Sequence, residues 1–234
     1  MKISIIIPTL NEAKYVRSTI LHTMTQAASR ENLEILVIDA GSIDQTLDTI
    51  SDLDVRTFVN SSFKLKKYKS LNFGLAQAKG EVVLFLDADT LLPKHFDTLV
   101  LEKMKKSSVG GAFEMRFVDP DLKLLLLSLF NSLRYNIWKT CYGDQAIFCK
   151  TSKALEVGGF EDMLMEAAHF CKALKKQGRF RIIRRPVRTS PRRFKDGGFW
   201  SVFWCDVKMW LRFVFGLDLK RFQKTYWTTN SQNG

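Results

Sequence analysis

Two aspartates one residue apart, Asp87 and Asp89, close an apolar run, "VVLFLD", from Val82 to Asp87. Like charges so close are costly unless a cation lies between them. Hard divalent cations take oxygen ligands and bridge protein carboxylates to substrate phosphates. A lone D-x-D is a weak signal, because aspartate also caps helices and turns. Two other apolar runs ending in polar residues strengthen it. "ISIIIP" (Ile3 to Pro8) continues into Thr9, Leu10, Asn11 and Glu12, and "LEILVID" (Leu33 to Asp39) into Ala40, Gly41, Ser42, Ile43 and Asp44. Gly41 allows a close backbone approach to a ligand. Asp44 reads equally well as a helix cap. Asp39 closes an apolar strand, where a nucleoside base or ribose hydroxyl is its natural partner.

The elements that must carry these groups alternate. Continuous apolar runs indicate strands buried on both faces. The expected order is strand Ile3–Pro8, a helix from Asn11 to about Ala28, and strand Leu33–Asp39. A helix capped by Ser42 or Asp44 follows, then strand Val55–Val59, helix Tyr68–Ala78 and strand Val82–Asp87. Pro93 fits the first turn of the next helix. Such an order predicts a mainly parallel sheet with right-handed crossovers, and such sheets bind ligands at the carboxyl ends of their strands. The second half is less regular. It offers strands at "GGAFEMRF", "DQAIFCK" and "FRIIR", and helices at Asp121–Trp138 and Leu164–Lys176.

Several classes are disfavoured. No G-x-G-x-x-G follows the first strand and no G-x-x-x-x-G-K-[ST] occurs, against a dinucleotide or P-loop enzyme. Cys141, Cys149, Cys171 and Cys205 form no C-x-x-C pair, so they read as reduced, mostly buried thiols. The first apolar run stops at Pro8, too short for a membrane span or an export leader. The net charge of +12 is concentrated between Lys172 and Lys195, which hold eleven basic residues and no acidic one. After them, "GGFWSVFWCDVKMWLRFVFGL" reads as an amphipathic helix broken by Asp206, Lys208 and Arg212. It suits a membrane interface next to anionic headgroups, or a core or dimer helix. Nucleic acid ranks last, because no binding motif is present.

"SIIIPTLNEAKYV", "ILVIDAGSIDQT", "LNFGLAQAKGEVVLFLDADT" and "GGF" before an acidic helix resemble family 2 glycosyltransferases of the GT-A fold. "GGAF", "YGDQAIF", "GGFEDMLME" and "TSPRRF" resemble a bacterial subgroup described as radical-SAM/selenodomain-associated. The resemblance implies that Pro8, Thr9, Glu12, Asp39, Gly41, Ser42 and Asp44 hold the nucleotide, with Lys67 and Asn72 nearby. Asp87 and Asp89 match the metal and diphosphate motif, Arg192 and Arg193 a basic pair near the diphosphate, and Tyr142, Gly143, Asp144 and Gln145 the acceptor-side loop. The family usually carries Glu-Asp at the start of its acidic helix, with the aspartate as general base. Here the pair is Glu166-Ala167. Glu166 is therefore the expected base, with Asp144, Asp162 and His169 as fallbacks.

The expectation is an α/β GT-A domain over residues 1–195, an amphipathic helical extension over 196–227, and a disordered tail over 228–234. Its function would be inverting, metal-dependent (Mg2+ or Mn2+) transfer of a sugar from a nucleotide diphosphate to a hydroxyl acceptor, free or lipid-linked. The location would be the cytoplasm, with the inner face of the membrane as the extension's docking place. A non-catalytic nucleotide-sugar-binding relic and a nucleotidyltransferase are the alternatives.

Overall fold

The computed structural model describes residues 1–105, 108–138, 140–217 and 219, without the side chains of 133, 134 and 136–138. The expected tail and the end of the extension lie outside the described residues. Eight strands form one sheet: β1 (Ile3–Thr9), β2 (Leu33–Asp39), β3 (Arg56–Val59), β4 (Val82–Phe85), β5 (Thr90–Leu91), β6 (Ser108–Phe117), β7 (Phe148–Lys150) and β8 (Arg179–Thr189). Their order across the sheet is β3-β2-β1-β4-β7-β6-β8-β5. The first four are parallel. The second half mixes senses: β7 is antiparallel to both β4 and β6, β6 is parallel to β8, and β5 antiparallel to β8.

The apolar runs alternate between two core layers, as a period of two requires. Ile3, Ile5 and Ile7 join Val37, Leu84 and Phe113 on one face. Ile6, Leu36, Ile38, Val83 and Phe85 pack on the other. Helices α1 (Val16–Gln26), α3 (Phe96–Met104) and α4 (Leu122–Trp138) contribute Ile20, Phe96, Val100, Leu124 and Leu127 to the first layer. α2 (Lys67–Gln77), α5 (Thr151–Glu156) and α6 (Glu166–Gln177) contribute Leu71, Leu75, Ala154, Phe170 and Leu174 to the second. α7 (Arg192–Asp196) and α8 (Phe199–Val214) close the described chain, with Phe194, Phe199 and Phe203 against the first layer.

Two helices differ from expectation for one shared reason. α1 starts at Val16 instead of Asn11, and a single 3-10 turn, Asp48–Ile50, replaces the helix expected after Ser42. The loops after β1 and β2 are stitched together by side chains that compete with helix formation. Asn11 N donates to Ser42 Oγ (2.8 Å), Ile43 N to Asn11 Oδ1 (2.9 Å), Glu12 N to Thr46 Oγ1 (2.8 Å) and Ala13 N to Asp44 Oδ2 (3.1 Å). Asn11 itself takes a left-handed φ of 55°.

Candidate functional site

β1 lies between β2 and β4, so the chain leaves it in opposite directions along the sheet. A crevice opens beyond the carboxyl ends of strands at such a switch point. Here it measures about 590 Å³. Pro8 and Thr9 at the end of β1, Glu12 after it, Ala40 after β2, and Asp87 and Asp89 after β4 all line it. Tyr142, Gly143 and Asp144 border it from the segment before β7, and Asp162 and Glu166 from the entry to α6. Arg192 and Arg193 border it at the start of α7.

The acidic floor is held by two cations. Arg192 makes a bidentate pair with Glu12 (2.7 and 2.6 Å), and its Nε lies 3.0 Å from Asp89 Oδ2. Its guanidinium stacks 5.0 Å above the ring of Tyr15. Lys67 Nζ donates to Asp87 Oδ1 at 2.5 Å. Burial pushes the Asp89 carboxyl up to about 6; Arg192 opposes this, and the neighbouring charges of Asp87 and Glu12 add to it. Burial works to lower the Lys67 ammonium, but Asp87 and Glu166 outweigh it and hold the group protonated.

Seven carboxylates line the crevice against four cationic side chains, a formal charge of −3 among the described residues. Asp87 Oδ2 and Asp89 Oδ1 carry no hydrogen bond among the described residues, and no group of three His, Cys, Asp or Glu is arranged to hold a metal ion. A hard cation fits this donor set as a partner of two carboxylates whose remaining ligands come from phosphate and water. It would relieve the burial and repulsion that raise Asp89.

Also bordering the crevice, Glu166 is the first residue of α6, where the helix dipole favours an anion. Met165 before it adopts φ 60°, a costly conformation for a side-chain-bearing residue that turns the chain into the helix at the crevice edge. Burial raises the Glu166 carboxyl; Lys67 partly offsets it, and Asp87 adds to it. Ala167 also borders the crevice. The Tyr142–Asp144 segment closes on the cationic bridge: a Cβ at Gly143 would lie 3.5 Å from Lys67 Nζ and 3.9 Å from Asp87 Oδ2.

Other residues singled out in the sequence stand one layer back. Asp39 is fully buried. Its carboxylate accepts from Gly41 N (2.9 Å), Ser42 N (2.8 Å), Ser42 Oγ (2.5 Å) and Thr9 Oγ1 (2.9 Å), so it shapes the loop that places Ala40 and Thr9. Asp44 accepts from Thr46 N (3.0 Å) and from Ala13 N, serving the loop and capping no helix. Asn72 turns away: its amide both donates to Phe160 O and accepts from Phe160 N, each at 2.8 Å. That clamp explains Gly159, whose φ of 71° and 2.3 Å Cβ approach to Asn72 Oδ1 exclude a side chain. Gln145 is buried and donates to Phe113 O (3.0 Å), holding the Tyr142–Gln145 loop in place.

Arg192 and Arg193 diverge. Arg193 forms a two-point pair with Asp206 of α8 (2.6 and 3.2 Å) and ties the crevice wall to that helix. Of the fallback bases, Asp144 and Asp162 line the crevice, and Asp162 accepts from Tyr68 Oη (3.1 Å). His169 instead packs edge-on against Phe213, ring centroids 4.9 Å apart. Tyr15, stacked on Arg192, and Asp206 with the other α4 and α8 side chains on the crevice rim were not anticipated. No local motif marks them; the tertiary path of the chain brings them there.

Comparison with known proteins agrees with this geometry. The family described as Glycosyl transferase family 2 matches residues 4–164, more than half of the chain. An uncharacterised glycosyltransferase of Nostoc sp. is 35% identical over 115 residues, covering 47% of this chain and 35% of that protein. A dolichyl N-acetyl-alpha-D-glucosaminyl phosphate 3-beta-D-2,3-diacetamido-2,3-dideoxy-beta-D-glucuronosyltransferase of Methanococcus voltae is 32% identical over 124 residues, 47% of this chain and 38% of that one. The chain thus spans little more than a third of these relatives' length. Staphylococcus aureus TarS 1–349 in complex with UDP-GlcNAc superposes with a TM-score of 0.66 at 22% identity, covering 82% of this chain and 59% of that chain. The mannosyltransferase PcManGT of Pyrobaculum calidifontis, in complex with GDP-Man and Mn2+, gives 0.65 at 24%, covering 81% and 56%. At these identities the structural likeness concerns the fold, which is that of the GT-A glycosyltransferases. The family match over most of the α/β body and the crevice at the ends of β1, β2 and β4 lead to one conclusion: the chain belongs to glycosyltransferase family 2.

Proposed function

We propose that the protein is an inverting glycosyltransferase that moves a sugar from a nucleotide diphosphate to a hydroxyl acceptor. One observation carries this reading: a carboxylate at a helix start, Glu166, borders the same crevice as the Asp87–Asp89 pair, with Lys67 influenced by both sides. The TarS and PcManGT structures are complexes with UDP-GlcNAc and GDP-Man, which supports a nucleotide-sugar donor.

Thr9, Glu12 and Ala40 form the nucleotide wall. Arg192 and Lys67, now engaged with Glu12, Asp89 and Asp87, supply charge-assisted hydrogen bonds to the diphosphate. A divalent cation held by Asp87 and Asp89 would add Lewis-acid stabilisation of the leaving diphosphate. The excess of carboxylates in the crevice, which would repel a diphosphate alone, supports that dependence. The acceptor oxygen attacks the anomeric carbon on the face opposite the diphosphate. Glu166 takes the hydroxyl proton, and the bond to the diphosphate breaks with its electron pair leaving on the phosphate oxygen. A carboxylate raised by burial is a better base near neutral pH than an ordinary one.

Calorimetry of UDP, GDP and TDP, with Mn2+ and with chelator, tests the donor side in wild type and Asp89→Ala. Cation-dependent binding of at least one nucleotide, lost in the variant, is expected. Equal affinity with chelator, or in the variant, removes the metal assignment. Ala167, where the family carries an aspartate, favours a non-catalytic relic as the second reading; nucleotide binding with no transfer to any acceptor would establish it.

A further inference from the structure

The described surface carries two exposed apolar stripes on neighbouring helices. On α4, Leu122, Leu125, Leu126, Leu129 and Phe130 are 71, 44, 57, 58 and 41% exposed, at the i, i+3, i+4, i+7, i+8 spacing of one helix face. On α8, Trp200, Trp204, Leu211 and Phe215, just past its end, form the outward side, with Trp200 and Trp204 59 and 55% exposed. The helices lie side by side and run in the same sense. Lys123 stands 5.8 Å from the ring of Phe199 near their starts, and Phe130 stands 6.4 Å from Trp210 further along. Each keeps a second apolar side for the protein, Leu124 and Leu127 on α4 and Val202 and Met209 on α8. Exposed leucines and tryptophans on two touching helices are thus surplus to the core.

Cations border this patch. Lys123 and Lys208 are exposed at its edge, and Lys172 of α6 sits 5.9 Å from the ring of Phe213. α6 packs in the other core layer from α4, and its basic residues, with Lys175 4.9 Å from the ring of Phe180, lead into β8. There Arg179, Arg184, Arg185 and Arg188 are exposed, with no ion pair among the described residues. An apolar face of leucine and tryptophan edged by Lys123, Lys208 and Lys172 matches an anionic lipid surface. Acyl chains take the apolar side chains, and headgroups meet the lysines and arginines. A second copy of this chain would bring the same positive rim against itself. No helix among the described residues is long and apolar enough to cross a membrane.

We propose that α4 and α8 together form a docking face for an anionic bilayer, with Lys123, Lys208 and Lys172 as its electrostatic rim. Both helices also line the crevice, through Leu127 and Phe130 on α4 and Phe203 and Trp210 on α8. Docking therefore places the rim of the crevice next to the lipid.

Flotation of the full chain with vesicles tests this. The vesicles are phosphatidylcholine alone or mixed with phosphatidylglycerol, at low and at high salt. The variants are Leu126→Glu with Leu129→Glu on α4, and Trp200→Glu with Trp204→Glu on α8; none of these residues lines the crevice. Wild type is expected to float with the anionic vesicles at low salt and to lose most of that binding at high salt. Each double variant is expected to bind roughly tenfold more weakly, because exposed apolar anchors become charges. Nucleotide calorimetry on the same samples should be unchanged, which separates this proposal from the transfer reaction. Quenching of wild-type tryptophan fluorescence by brominated anionic lipid is expected too, and needs no variant. Four results overturn the proposal: no flotation with any mixture, equal flotation on neutral vesicles, full binding by the α4 variant, or absence of quenching. So does a dimer that the same substitutions dissociate in the absence of lipid binding.

Discussion

Asp89→Asn should stabilise the protein while abolishing cation-dependent nucleotide binding. The Asp89 carboxyl, with its side chain 10% exposed, is raised from an ordinary 3.8 to about 6 by burial, against the pull of Arg192 and with the push of Asp87 and Glu12. The folded chain therefore holds this proton more tightly than the unfolded chain. Stability falls as pH rises from about 4 through about 6, and the penalty is complete above that. At neutral pH it amounts to about 2–3 kcal/mol. Asparagine resembles the protonated carboxyl and can still accept from Arg192 Nε, so it removes the penalty. With roughly 2 cal/mol/K per residue of unfolding entropy, the melting point should rise by about 4–6 °C at pH 7.5. Near pH 4 the difference should vanish. Scanning calorimetry of both proteins with chelator present, at the two pH values, measures this. A melting point that is unchanged or lower at pH 7.5, or a gain that persists at pH 4, would refute the reasoning. Function would then not be maintained here against stability.

The pH profile of kcat/KM should fall about tenfold per unit on its acid side, below an apparent pKa above 4.5, because burial raises the base and Lys67 offsets only part of this; a limb at or under 4.5 would exclude Glu166 as the group reported. Asn72→Ala should cost about 2–3 kcal/mol in a denaturant melt, since the backbone N–H and C=O of Phe160 lose their partner. Gly159→Ala should cost about 2–4 kcal/mol through positive φ and the clash with Asn72, and distinctly less in the Asn72→Ala background, where the clash partner is gone. Additive costs would show that the two residues do not share one clamp.

The first half of the fold was legible because β1, β2 and β4 are buried on both faces and read as unbroken apolar runs between turn residues. The second half was harder. β7 is three residues long and antiparallel, and its place between β4 and β6 depends on partners far away in the chain. The polar strand ends pointed to the crevice, yet Asp39, Asp44 and Asn72 turned out to brace it from behind. Sequence spacing locates a carboxylate on a loop but does not say whether its lone pairs face a ligand or neighbouring N–H groups. The basic stretch was plain in the sequence. That α4 joins α8 beside it was not, because the apolar stripe of α4 looks the same whether it faces a core or a bilayer.

The central claim is that one crevice binds a nucleotide diphosphate on the Asp87–Asp89 side and activates a hydroxyl with Glu166 on the other. Glu166→Gln tests it most directly, with two numbers from one sample: nucleotide affinity by calorimetry, and the rate of nucleoside diphosphate release from the donor that binds. The substitution keeps shape and removes the proton-accepting charge. Affinity should stay nearly that of wild type while turnover falls by about 100- to 10,000-fold. Unchanged turnover would contradict the account, as would a loss of affinity matching the loss of rate.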